Sequence, residues 1–260
     1  MPPKENWTSP DLAKKLEEQA EENKEYRHTL YKKVALQTKQ HVLDIGCGTG
    51  VITKDIAEHT TGKVTGIDMS TDSLLYAQNY LKGLNITLIG AQAMDLPFKD
   101  NAFDLVVFCG VLMYVPDKQK AVNEMARVTK KNGIVLATVE PDYGDVIVYP
   151  EDPALQVVFN DLENIGADLK TGRKLRSLFS KAGLDPEVGL FTEYFDELNL
   201  DPDNQVKHYL ERFWFIERSL RQNGWTSEQI EEYKQNQINL IKNRILFQFL
   251  PVFYAIGRKA

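Results

Sequence analysis

The most constraining feature of this chain is the run Val42-Leu43-Asp44-Ile45-Gly46-Cys47-Gly48-Thr49-Gly50. An apolar stretch of strand length runs into three glycines at alternate positions, and a helical pattern starts at Val51. Glycine lets the backbone turn sharply and lets a ligand lie against the main chain with no side chain between them. The helix that follows adds free N–H groups at its start. Strand, glycine turn and helix in this order make a cradle suited to a nucleotide-like ligand.

The first 145 residues alternate between two periods. Residues 10–37 read as one helix, with Leu12, Leu16, Tyr26, Leu30 and Val34 at three- and four-residue steps and Ser9 or Asp11 able to cap its start. Apolar runs of strand length follow at 41–45, 63–68, 86–89, 103–108 and 134–139, the last entered through an Asn132-Gly133 turn. Helical patterns lie between them. One covers 51–58. A second opens at Ser70-Thr71-Asp72 and places Leu74, Leu75, Ala77, Gln78 and Leu81 on one side. A third covers 117–129, with Val122, Met125 and Val128 facing inward.

Beyond residue 145 helices are expected at 155–165, at 174–182 up to Gly183, at 204–221, and after Thr226, which has Gln229 three residues on as a capping-box partner. Strands are expected at 187–195 and 249–257, the latter with an irregular start at Pro251. The alternation predicts an α/β fold: a doubly wound, mostly parallel seven-stranded sheet with an N-terminal helix and a helical insertion before the last strand. Residues 1–260 form one domain, divided into a helical cap (1–37), a ligand-binding core (38–145) and a C-terminal part (146–260) with a helical lid at about 196–248. Such sheets bind ligands in the crevice at the carboxyl ends of their strands, here 46–50, 68–70, 90–95, 109–114 and 140–144.

Composition removes several classes. Hydrophobic residues make up 43% and charged residues 26% of 260, the balance of a globular chain. The net charge of -6 and the lack of a basic stripe argue against a nucleic-acid partner. The longest apolar run, 105–115, is far short of the ~20 residues of a spanning helix, and no signal-peptide core follows Met1, so no membrane partner and a cytoplasmic location are expected. Cys47 and Cys109 are too few for a disulfide framework and read as buried packing residues. His28, His41, His59 and His208 are scattered without ligand spacing, so no metal is expected.

The glycine spacing discriminates between adenosyl ligands. The dinucleotide fingerprint G-x-G-x-x-G would need glycine at Val51, whereas the third glycine comes one residue early, at Gly50. Asp68 ends the next strand, where a carboxylate can accept both hydroxyls of a ribose. These residues indicate an adenosyl-type site and disfavour a nicotinamide dinucleotide. Residues 42–50 resemble the first motif of the Rossmann-like methyltransferases that use S-adenosylmethionine (SAM). Gly66-Ile67-Asp68-Met69-Ser70 is similar to their second acidic strand end, and Leu96-Pro97-Phe98 followed by Phe103-Asp104-Leu105-Val106 resembles the stretch leading into their fourth strand. The resemblance covers roughly residues 30–140 and is strongest to the small-molecule branch that includes ubiquinone and menaquinone methyltransferases.

The resemblance implies SAM as cofactor and assigns roles. Gly46, Gly48 and Gly50, with Cys47 between them, line its methionine and ribose portion; Asp44 holds the loop or the ligand's amino group. Asp68 takes the ribose hydroxyls and Met69 packs on the adenine. Gln92 and Ala93 stand where the family usually has Asp-Ala at the adenine edge, with Asp95 a second candidate there. Cys109, Val111 and Leu112 border the reacting end. The residues alone leave Asp44 open to a second reading, as a cap of the glycine turn. On the N-terminal helix, Tyr26 and Arg27 are expected over the SAM site, with Arg27 pairing its carboxylate. Tyr114, Glu140, Asp142 and Tyr143 are expected to face a small-molecule acceptor, and Arg173 to meet an anionic group on it. The alternative readings are that Pro141-Asp142-Tyr143-Gly144 is only a turn, that Arg173 sits at a solvated helix start, and that Phe213 and Trp214 are helix packing. No dedicated base stands out, so the expected reaction is in-line methyl transfer driven by proximity. The competing functions are a non-catalytic SAM-binding sensor or scaffold and a protein or nucleic-acid methyltransferase.

Overall fold

The computed structural model describes residues 10–192, 195 and 197–260. Ser9 and the rest of 1–9, positions 193 and 194 of the strand expected at 187–195, and position 196 of the expected insertion lie outside the described residues.

A seven-stranded sheet has the order β3-β2-β1-β4-β5-β9-β7. Its strands are β1 (His41–Ile45), β2 (Lys63–Asp68), β3 (Ile86–Gly90), β4 (Phe103–Phe108), β5 (Thr129–Pro141), β7 (Leu184–Phe191) and β9 (Val252–Lys259). The pairs β1–β2, β2–β3, β1–β4 and β4–β5 are parallel. β9 runs antiparallel to both β5 and β7. The chain works outward from β1 to β3 and returns to place β4 on the other side of β1, so the order reverses between β1 and β4. Crossovers leaving β1 and β4 therefore diverge and open a crevice at their carboxyl ends.

Side chains of successive strand residues point to opposite faces, and both faces are covered. Leu43, Ile45, Val106 and Phe108 pack with Met125 of α5 (Lys118–Val128) and Phe179 of α7 (Leu175–Lys181). Val42, Leu105, Val107 and Leu136 pack on the other face with Ile56 of α3 (Val51–Glu58) and Leu30 of α2 (Lys24–Lys33). Asp117 caps α5 by accepting from the Lys120 amide at 2.9 Å, and Ser70 caps α4 (Thr71–Tyr80).

Several elements depart from the sequence reading. The expected helix 10–37 is two helices, α1 (Pro10–Glu22) and α2, because the chain bends at Asn23; it stops at Lys33, and Ala35 then takes a left-handed turn at φ 51. α4 turns Ser73, Ala77 and Leu81 inward, while Leu75 and Gln78 are exposed. β5 begins at Thr129 rather than 134, since Thr129 already pairs with Phe103 and Asn132-Gly133 forms an irregularity inside the strand. β7 starts and ends earlier than expected, its whole length pairing with β9. Pro251 divides the expected last strand into β8 (Phe247–Phe249), paired with β6 (Ile147–Tyr149), and β9. The C-terminal helices form where expected: α6 (Pro153–Asn164), α8 (Pro202–Gln222) and α9 (Ser227–Lys242), the last with the Thr226/Gln229 capping box in place. Among the described residues, no helix is long and apolar enough to cross a membrane.

β1 carries an acid in the core. Asp44 shares Val42's side of the sheet, is 2% exposed, and accepts a 2.6 Å hydrogen bond from the Thr53 hydroxyl on α3. Burial pushes its carboxyl up to about 7 from an ordinary 3.8, against the pull of Thr53. The folded chain thus keeps a proton that the unfolded chain releases, so this group's contribution to stability is present at low pH and is lost as pH rises from about 4 to about 7. Asp44→Asn retains an oxygen for Thr53 and removes the titration. In denaturant melts the variant should gain stability relative to the unsubstituted chain as pH rises through that window; a difference that stays flat with pH would refute the raised value.

Candidate active site

The turn after β1 is built as the glycines demand. Gly46, Gly48 and Gly50 all have positive φ, at 68, 52 and 92. The Cys47 amide donates to the Ile67 carbonyl at 2.8 Å, which carries the β1–β2 pairing one step beyond the strand. A Cβ on Gly46 would fall 2.6 Å from Val111 Cγ2, on the loop after β4. A Cβ on Gly48 would meet nothing within 4 Å. Gly48 therefore leaves its main chain open to whatever fills the crevice. Gly50 serves differently from expectation. It is not on the crevice wall: it caps α3, and a Cβ there would press Leu81 and Ala77 of α4.

A cavity of about 1770 Å³ opens from this turn. Gly46, Cys47, Gly48, Asp68 and Met69 line it, as do Gln92, Ala93, Cys109 and Gly110. The Asp68 carboxylate is held by two amides, Gly48 N to Oδ2 at 2.9 Å and Ser70 N to Oδ1 at 2.8 Å. Each oxygen keeps acceptor capacity for a further donor, which fits the ribose diol of an adenosyl group. Met69 is 76% exposed and offers a flat apolar contact. Gln92 stays on the wall; Asp95 does not, and its amide instead donates to the Gln92 carbonyl at 3.1 Å. Asp44 also lies behind the wall, engaged with Thr53. Burial raises both thiols, Cys109 to about 11, so they pack here as neutral groups.

The N-terminal helices close one side. Leu16, Gln19 and Asn23 line the cavity together with Arg27. The Arg27 guanidinium does not stand free for a ligand carboxylate. It is buried and bonds Asp55 on α3 through Nε at 2.9 Å, and it donates through Nη1 to the Ala20 carbonyl at 2.6 Å. Tyr26 turns away from the cavity and meets Phe191 and Tyr254 edge-on, at 4.2 and 6.2 Å between ring centroids. The same Asp55 gathers two histidines that the sequence scatters. His28 Nε2 lies 2.8 Å from its Oδ1, and His59 Nδ1 lies 2.7 Å from its backbone carbonyl. These three residues stand close enough to hold a metal ion. The Arg27 cation and the His59 contact with the main chain already engage them, and the cluster ties α2 to α3.

On the acceptor side the structure separates the candidates. Tyr114 and Tyr143 line the cavity. Glu140, Asp142 and Arg173 do not. Arg173 is drawn to the buried carboxylate of Asp142, with Nε to Oδ2 at 2.8 Å and its own amide to the same oxygen at 3.0 Å, and also pairs with Asp145. That clamp fixes the turn after β5 and engages the Arg173 guanidinium away from the cavity. Glu140 is wholly buried beneath the loop after β4, where its Oε1 accepts from the Val111 and Leu112 amides at 2.8 and 3.3 Å. Burial pushes its carboxyl up to about 7. Leu112 is core, whereas Val111 remains on the wall.

The far arm of the cavity is largely apolar. Leu155, Val158 and Phe159 of α6 line it together with Tyr209, Phe215 and Ile216 of α8, and Val158 packs in one cluster with Phe159, Phe215 and Ile216. Phe213 and Trp214 also border this arm, although Phe213 is 4% exposed and packs against Tyr209 and Tyr233. Phe213 thus packs as the helix-packing reading expects while also bordering the cavity. Gly110 was legible as a second glycine exit from an apolar strand, with φ 63 and open space where a Cβ would be. The α8 residues carry no local signal, since nothing in their spacing says which helix they will face.

Comparison with known proteins agrees with this geometry. Residues 43–137 match the family described as "Methyltransferase domain". The demethylmenaquinone methyltransferase of Staphylococcus aureus (strain MRSA252) is 38% identical over 126 residues, 46% of this chain and 52% of that protein. The chain spans about half the length of the curated relatives it matches. In fold, it resembles Haemonchus contortus phosphoethanolamine N-methyltransferase 2, solved in complex with SAM, with a TM-score of 0.64 and 19% identity over 90% of this chain and 52% of that one. It also resembles the [4+2]-cyclase SpnF, with a TM-score of 0.60 and 17% identity over 91% of this chain and 81% of that one. The fold alone therefore does not fix the reaction; the glycine turn, Asp68 and the matched segment do more. Residues 43–137 of this chain thus match a methyltransferase domain, carried on a Rossmann-like fold.

Proposed function

We propose that the chain is a SAM-dependent methyltransferase acting on a small, largely apolar acceptor. The observation that carries this reading is the continuity of the cavity. Its ~1770 Å³ joins a glycine-and-carboxylate arm to an apolar arm, whereas a site for one ordinary ligand has roughly 300–1,000 Å³. There is room for a cofactor and a second molecule side by side.

SAM supplies, when bound, a methyl group already activated on a sulfonium. Gly46 and Gly48 would leave room for its methionine and ribose parts, Asp68 would accept from the ribose hydroxyls, and Met69 and Gln92 would flank the adenine. The loop 109–114 lies where the two arms meet. Its wall, with Phe159, Phe215 and Ile216 beyond it, would exclude water and align the acceptor. Tyr114 and Tyr143 bring hydroxyl-bearing side chains to the cavity and would orient an acceptor by hydrogen bonding. α8 and α9 act in this reading as a lid over the apolar arm, since insertions on a fixed scaffold set specificity.

Titration with SAM, S-adenosylhomocysteine and NAD tests the cofactor, and a screen of acceptor pools for a gain of one methyl mass tests the reaction. Binding of NAD but not SAM would overturn the reading; SAM binding with no methyl gain would favour a sensor or scaffold. Asp68→Ala should weaken SAM binding about 10- to 100-fold, the loss of charge-assisted hydrogen bonds worth ~1.5–3 kcal/mol. Phe215→Ala should raise the acceptor's KM by about 10-fold or more, from ~1.5–3 kcal/mol of apolar contact, while leaving SAM affinity unchanged. The reverse pattern would assign the arms the wrong way round.

A further inference from the structure

We infer that Glu140 is a positioning residue: through the amides of Val111 and Leu112 it seats the loop after β4 against the glycine turn after β1 and so sets the wall that cofactor and acceptor share. This rests on the reading of the cavity as a SAM and acceptor site. Three observations join to support it. First, the β5–β9 register shifts between Ala137 and Glu140. Such irregularities re-aim side chains and gather beside active sites; here Glu140 is fully buried within the fold. Second, Glu140 Oε1 accepts from two successive amides, Val111 N at 2.8 Å and Leu112 N at 3.3 Å, while its Oε2 is buried with no hydrogen-bond partner. Native chains rarely leave a buried oxygen so placed, and a purely packing role would be met by leucine. Third, Val111 is the residue whose Cγ2 stands 2.6 Å from where a Cβ on Gly46 would be.

These contacts form one chain from Glu140 through the Val111 amide and side chain to Gly46. Gly110, next to Val111, has positive φ and its own amide bonds the Val139 carbonyl at 2.6 Å, so β5 holds the loop at two adjacent points. Glu140 does not touch the cavity and acts only by where it holds the loop.

The test compares Glu140→Gln, which keeps an oxygen for both amides, with Glu140→Leu, which keeps the size and removes the acceptor. Hydrogen exchange of the 109–114 amides in the ligand-free full chain should be fast in the leucine variant and near that of the unsubstituted chain in the glutamine variant. SAM and S-adenosylhomocysteine affinities, read by calorimetry, should fall about 10-fold or more with leucine and recover to within about 3-fold with glutamine, the range expected for a hydrogen-bonded anchor. Should the leucine variant fail to fold, Val111→Ala reports instead: it keeps the amide and trims the contact with Gly46, and SAM affinity should drop several-fold. Equal behaviour of the glutamine and leucine variants, or unchanged affinity in Val111→Ala, overturns the inference. An unsubstituted chain that binds no SAM overturns the cofactor reading instead, and the exchange experiment still decides whether Glu140 seats the loop.

Discussion

A parallel strand that ends inside a protein has to turn its chain within a few residues while its last amides find partners. This constraint at the end of β1 organises the molecule. Gly46 and Gly48 take left-handed conformations that side chains rarely adopt, and the amides they free go to β2: Cys47 N to the Ile67 carbonyl and Gly48 N to the Asp68 carboxylate. The turn and the acid on the next strand are thus one unit. Asp68 is aimed by the loop it supports, and the loop cannot relax without releasing it. Because β4 lies on the other side of β1, the second loop at the crevice is pressed against the first, with Val111 over Gly46.

Around this unit the buried acids divide the work by position. Asp44 lies beneath the turn and ties β1 to α3 through Thr53. Asp55 ties α3 to α2 through Arg27 and His28, and Arg27 extends the tie to α1 through the Ala20 carbonyl. Asp142 clamps Arg173 after β5. Breaking a buried ion pair costs far more than an exposed one, because the remaining charge is left without solvent. Such pairs fix the angle at which a helix or loop meets the sheet. Asp44 and Asp142, which look like site residues by their positions, are in this light parts of the frame around the site.

The core fold is legible because its signals are local. Strand length, glycines, caps at Ser70 and Asp117, and the Thr226/Gln229 box each report on a few neighbouring residues, and the corresponding elements form. What is misread lies where tertiary pairing outweighs local pattern. β5 starts at Thr129 because Phe103 is there to pair with it, and the helix 10–37 breaks at Asn23, after which α1 borders the cavity and α2 packs on the sheet. The cofactor side of the site follows the same rule. Gly46, Gly48, Asp68, Met69 and Gln92 are strand-end positions, and strand ends are readable.

The acceptor side obeys a different logic, which explains why Glu140 and Arg173 are misplaced by a reading of the sequence. Glu140 lies near the carboxyl end of β5 and Arg173 just before α7, so the chain brings both near the cavity. Whether a side chain enters it depends on what else competes for it. Asp142 is buried and needs a partner, so the partly exposed Arg173 guanidinium goes to that carboxylate. For Glu140 the competitors are two amides that would otherwise be unpaired under the loop. The far wall comes from α6 and α8, some fifty residues apart in sequence, whose aromatic residues have the spacing of any amphipathic helix. On the function proposed above, specificity for the acceptor would reside in contacts that only the assembled chain defines, on a frame whose cofactor half is written residue by residue.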